Sequence, residues 1–83
     1  MIPDRNRQVR VRASFAGDVE LKVKRGQRVF ASQTLAVVEG DTQLEELSAR
    51  NPGVVLELLV ADGATVPEGG LLLVLQEDLI AQA

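Results

Sequence analysis

Short runs in which apolar and polar residues alternate, broken by glycine, organise this chain. Val9, Val11 and Ala13 fall on one side of an extended backbone and Arg10 and Arg12 on the other, the two-residue period of a half-buried strand. Gly17 breaks that run. Val19, Leu21 and Val23 then alternate with Glu20, Lys22 and Lys24, giving a second strand with its charges outward. Arg25-Gly26 supplies a turn, because glycine takes positive φ without the steric cost of a Cβ. Val29, a loop at Ala31-Ser32-Gln33 and a strand from Leu35 to Glu39 follow. Beyond a polar tip, Leu44 to Ala49 reads two ways. It fits a returning strand, and it also fits a short helix, since Thr42-Gln43-Leu44-Glu45 matches a capping box and the composition favours helix. Asn51-Pro52-Gly53 stops either element. Val54 to Val60 reads as a longer apolar strand, Asp62-Gly63 as a turn, and Pro67-Glu68-Gly69-Gly70 as the lead into a last strand from Leu71 to Gln76.

The two halves of this pattern superimpose. Ala13, Gly17, Val19, Gly26, Val29, Leu35 and Val37 fall on Ala49, Gly53, Val55, Gly63, Val66, Leu72 and Val74, with an offset of 36 residues up to the strand and 37 after it. A difference of one residue between the glycines is a bulge or a shorter turn, not a change of topology. Neither half is able to bury a face alone, so the two are expected to pack on each other as an all-β sandwich or flattened barrel with quasi-two-fold symmetry. Residues 9–77 form the expected domain. Residues 1–8, polar and carrying Pro3, read as a loose end, and residues 78–83 as a tail, with the stretch from Glu77 onward reading as a final half-turn or a packed end.

Composition narrows the chemistry. At 83 residues there is room for one core. With no cysteine and no histidine, disulfides, thiolate nucleophiles, imidazole bases and the usual zinc sites are excluded. Ser14, Ser32, Thr34, Thr42, Ser48 and Thr65 offer hydroxyls, but an activated hydroxyl needs an adjacent base, so the domain reads as non-catalytic. Phe15 and Phe30 are the only aromatics and the net charge is −3, which argues against a base-stacking platform and against a nucleic-acid partner. No apolar run approaches the ~20 residues of a membrane span and the start is no signal peptide, so a cytoplasmic location is expected. Gly40 and Gly69-Gly70 lack the spacing of a phosphate loop and read as turn glycines.

Glu39, Asp41, Glu45 and Glu46 gather negative charge around the central tip. A divalent cation would need several of those oxygens to converge at about 2.3–2.6 Å, and no EF-hand spacing is present. The acids read either as solvated charges on a protruding loop or as a docking surface for a basic patch on a protein partner.

From Val11 to Gln76 the sequence resembles the biotinyl/lipoyl attachment domain family. The resemblance rests on Gly17, on Gly26 with Val29, on Leu35 to Glu39, on Asp41, on Gly53-Val54-Val55, on Gly63 with Val66, and on Leu72 to Leu75. It implies a barrel-sandwich hybrid of two quasi-symmetric halves, the single hybrid motif. It also implies a hairpin tip that carries the cofactor-bearing lysine after an aspartate. In the gap-free register the lysine position is Thr42. A threonine hydroxyl makes no amide with biotin or lipoate and has no long flexible stem. The only lysines, Lys22 and Lys24, belong to an early strand face. The resemblance thus implies an unmodified, cofactor-free module that binds a protein partner, in a carboxylase or acyltransferase-type complex, through Glu39, Gly40, Asp41, Thr42, Glu45 and Glu46. Two alternatives stay open: a true biotin or lipoyl carrier, and a module like those of membrane-fusion adaptors in efflux systems, whose two halves are separated by a helical insertion at this tip.

Overall fold

The computed structural model describes residues 6–78, and these form eight strands. They are β1 (Asn6–Arg12), β2 (Gly17–Leu21), β3 (Arg28–Val29), β4 (Thr34–Glu39), β5 (Leu44–Ser48), β6 (Gly53–Leu58), β7 (Thr65–Val66) and β8 (Leu71–Asp78). Every pairing is antiparallel, and the strands form two four-stranded sheets, ordered β1-β8-β6-β3 and β5-β4-β2-β7. Moving each strand of the first sheet four places along the chain gives the second. The sequence repeat is therefore an axis relating the sheets, in a flattened barrel-sandwich that is not a closed barrel.

The halves are interlocked rather than stacked. Gly26 N donates to Val55 O at 2.7 Å, and its counterpart Gly63 N donates to Val19 O at 2.7 Å. Each glycine turn thus closes on the other half's strand, so neither half has its backbone bonds satisfied alone. Gly17 and Gly53 answer another need. A Cβ on Gly17 would overlap the carbonyl oxygen of Glu39, and one on Gly53 would overlap that of Gln76.

The extra residue of the second half is a bulge in β6. Val55 pairs with Leu75 and Glu57 with Val74, leaving Leu56 inserted, whereas Val19 and Glu20 pair with Val38 and Val37 without interruption. The core divides in two. Val23, Val29, Leu35, Ala49, Val55, Leu73 and Leu75 form one cluster, and Ala13, Val19, Ala36, Val38, Val66 and Leu72 the other. Consecutive residues of β4, Leu35 and Ala36, enter different clusters, as do Leu72 and Leu73 of β8. This is possible because the pairing shifts beside them, at Thr34/Ala36 against β5 and at Val11/Arg12 against β8. Each fully buried leucine contributes roughly 1.5–3 kcal/mol of transfer free energy.

One open reading is decided and two expectations need correction. Of the two readings of the stretch from Leu44 the strand holds, over residues 44–48, because pairing with β4 from Glu39–Leu44 to Ala36–Leu47 outweighs the local helix propensity. That removes the helical feature that linked residues 42–50 to membrane-fusion adaptors. Asn6, the first described residue, already belongs to β1, so residues 6–8 are not a loose end. Asn6, Arg7 and Gln8 pair with Asp78, Glu77 and Gln76, polar against polar, and this hides the strand from a hydrophobic period. For the same reason Glu77 and Asp78 continue β8 and form no half-turn. Glu77 is buried, with Arg7 Nη2 at 3.3 Å and Asn51 Nδ2 at 3.2 Å from its Oε1. The remaining terminal expectations, for residues 1–5 and 79–83, lie outside the described residues.

Candidate functional site

The tip is a tight hairpin. Glu39 and Leu44 are the last strand pair, Gly40 N donates to Gln43 O at 2.8 Å, and Asp41 and Thr42 fill the centre of the turn. Neither takes positive φ, since Ser32 is the only non-glycine that does among the described residues. Residues 41–44 are all exposed. The tip is braced from below by Phe15, whose ring lies so close to Gly40 that a Cβ there would stand 3.0 Å from both the ring and the Ala16 carbonyl.

Of the six tip residues expected to form a docking set, Glu39, Asp41, Thr42 and Glu46 are exposed, while Gly40 and Glu45 are half-buried. Glu45 points inward. Its Oε2 accepts the Ser14 hydroxyl at 2.9 Å, and its Oε1 is buried with no hydrogen-bond partner among the described residues. Glu39 and Glu46 instead belong to the outer face of the β5-β4-β2 sheet. Leu44, Glu39 and Asp18 stand side by side in the row nearest the tip, and Glu46, Val37 and Glu20 in the next. Asp18 and Glu20 were not among the expected tip residues. The alternation of β2 marks both as outward, but only the strand register sets them beside Glu39 and Val37.

Asp18 and Glu39 are thus like charges directly opposite one another, an arrangement that disfavours the sheet. Asp18 accepts the Thr65 hydroxyl at 2.7 Å, and Glu20 lies 3.1 Å from Lys22, with both side chains well exposed. Neither Glu39 nor Glu46 has an ion-pair partner among the described residues.

Lys22 and Lys24 lie at the other end of this sheet. Asp18 pairs with Glu39 beside the tip, Leu21 pairs with Ala36, and Lys22 N bonds Leu35 O. Four residues of strand separate Asp18 from Lys22, roughly 14 Å at about 3.4 Å per residue. Among the described residues no group of three or more Asp or Glu is placed to hold a metal ion, and no helix is long and apolar enough to cross a membrane.

A family model described as that of biotin-requiring enzymes, biotin/lipoyl, matches residues 9–75. The chain belongs to the biotin/lipoyl family. Domains of this family are carrier modules and are not themselves catalytic. Among solved structures, this biotin/lipoyl domain is similar to a segment of a single-chain, multi-domain long-chain acyl-CoA carboxylase, with 28% identity and a TM-score of 0.76 over 84% of this chain and 7% of that one. It is also similar to a segment of the Kluyveromyces lactis urea carboxylase, with 21% identity and a TM-score of 0.72 over 90% of this chain and 6% of that one. The second likeness shows the fold alone. The biotin/lipoyl domain spans well under a tenth of either carboxylase. A comparison with curated proteins finds no match.

Proposed function

We propose that this biotin/lipoyl domain is an unmodified member of its family, a non-catalytic module that presents its β4–β5 hairpin to a protein partner in a carboxylase-type system. The observation that supports the reading is Thr42 at the centre of the exposed turn, the position at which the gap-free resemblance expects the modified lysine. A hydroxyl at that atom makes no amide with the carboxyl group of biotin or lipoate, so the tip does not fit either cofactor. Lys22 and Lys24 lie four and six residues along the chain from Asp18, the β2 residue that pairs beside the tip, and a ligase that recognises a hairpin lysine has neither within the turn. What remains at the tip is a hairpin braced by Phe15 with acids on one side, which suits recognition rather than transport. Carboxylases as solved neighbours supply the choice of system.

Thr42→Lys tests the register. Installed in the same exposed turn, the lysine is expected to be biotinylated or lipoylated when the variant is incubated with the two ligases and their substrates. A folded variant that both ligases leave unmodified, as read by intact mass, would remove the support for Thr42 as the attachment position.

A further inference from the structure

We propose that β5 is a strand-addition site for an extended, basic segment of a partner protein. This deepens the docking reading by naming where the partner seats and what chemistry it brings.

Gly40 N donates to Gln43 O, which makes Gly40–Gln43 a hydrogen-bonded pair. Such pairs alternate with non-bonded ones along an antiparallel ladder. Glu39–Leu44 and Val37–Glu46 are therefore the non-bonded pairs, and the N–H and C=O groups of Leu44 and Glu46 face away from β4. Because β5 is the outermost strand of its sheet, those four groups form an open template for another strand.

The other three edges are blunted. β3 and β7 are two residues long. β1 carries Arg10 and Arg12, its pairing shifts at Val11/Arg12, and the Arg12 guanidinium donates to Gly69 O at 3.0 Å. β5 has five residues, no proline, lysine or arginine, and Leu44 at its tip end is 64% exposed. Glu45 turns inward to Ser14, so Glu46 is the single charge guarding the outer side.

The side chains beside this edge define the occupant. An added strand sets alternate residues on the outer face next to Leu44 and Glu46. An apolar residue fits beside Leu44. Two positions away, a lysine or arginine fits beside Glu46, whose carboxylate lacks an ion-pair partner among the described residues. The symmetry-related face is a control built into the molecule. The positions equivalent to Asp18, Glu39, Leu44 and Glu46 are Val54, Gln76, Gln8 and Arg10, so the fold does not require acids there.

The test uses a blocked seven-residue peptide alternating valine and arginine, titrated into the whole chain and followed by amide chemical shifts. Two control peptides accompany it: one with glutamate for arginine, and one of the same positive charge interrupted by prolines. The expected result is saturable shifts at the amides of Leu44, Glu46 and Ser48 with the first peptide only, weakened tenfold or more by Glu46→Lys and less by Glu46→Gln. Equal binding of the proline-interrupted peptide overturns the proposal, because charge alone then suffices. Shifts confined to Asp41 and Thr42 overturn it too, while leaving tip docking intact. β5 shifts that appear on raising protein concentration without peptide show a second copy as the occupant, against a separate partner. The intact mass of the chain is independent of all these outcomes, so failure of the strand-addition site does not touch the unmodified reading.

Discussion

Replacing Gly17 or Gly53 by alanine tests the interlocked two-fold arrangement at its tightest points. In each case the added methyl overlaps a backbone carbonyl of the neighbouring long strand, Glu39 for Gly17 and Gln76 for Gly53. Backbone, unlike the end of a flexible side chain, yields only by displacing the strand. Overpacking of this kind costs about 1–3 kcal/mol, against a total stability of roughly 5–15 kcal/mol for a domain. The lower unfolded-state entropy of alanine returns about 0.4–1 kcal/mol of this. Gly53 is buried and Gly17 half-buried, so Gly53→Ala is expected at the upper end of the range and Gly17→Ala at or below it. Urea unfolding with a shared m-value reads both, and each kcal/mol lost lowers Tm by about 4–8 °C in a domain of this size. Gly17→Ala should also shift the amides of residues 39–43, because β2 runs against the tip strand there, while Gly53→Ala should leave them in place. Stabilities within about 0.5 kcal/mol of the parent chain for both variants would refute the close strand approach.

Leu35→Ala and Leu72→Ala each remove a fully buried side chain at symmetry-related positions, and each is expected to cost about 2–5 kcal/mol, measured by denaturant unfolding. Ser32 has φ 71° where its counterpart Gly69 has φ 78°. Relief of roughly 1–2 kcal/mol of left-handed strain, less the entropy that glycine adds to the unfolded chain, predicts that Ser32→Gly raises stability by about 0.5–1 kcal/mol; a lower Tm would contradict this. Arg7→Ala leaves the buried Glu77 carboxylate with Asn51 as its one remaining side-chain donor among the described residues. Since Arg7 is itself 61% exposed, a loss of about 1 kcal/mol is expected, readable as a fall in the urea midpoint.

Much of the fold was legible because the chain states it twice. Gly26 and Gly63, Val29 and Val66, and Leu35 and Leu72 appear in sequence where the axis later places them, and the single gap between the halves is the Leu56 bulge. Segments that hold together by polar pairing were not legible. Asn6 to Gln8 and Glu77-Asp78 carry no hydrophobic period, yet they pair with each other along β1 and β8. Residues 44–48 satisfy helix propensity and strand pairing alike, and only the long-range partner β4 decides between them. The acids around the tip were visible as a cluster, but not their division. Glu45 turns in to Ser14, while Glu39 and Glu46 face out beside Asp18 and Glu20, a grouping set by register between strands distant in sequence.

The most direct test of the central claim is the intact mass of the native chain after co-expression with biotin and lipoyl ligases and their substrates, with Thr42→Lys alongside as the modifiable reference. The native chain is expected at its unmodified mass and the variant with an adduct. A stoichiometric biotinyl or lipoyl adduct on the native chain, mapped to Lys22 or Lys24, would contradict that claim.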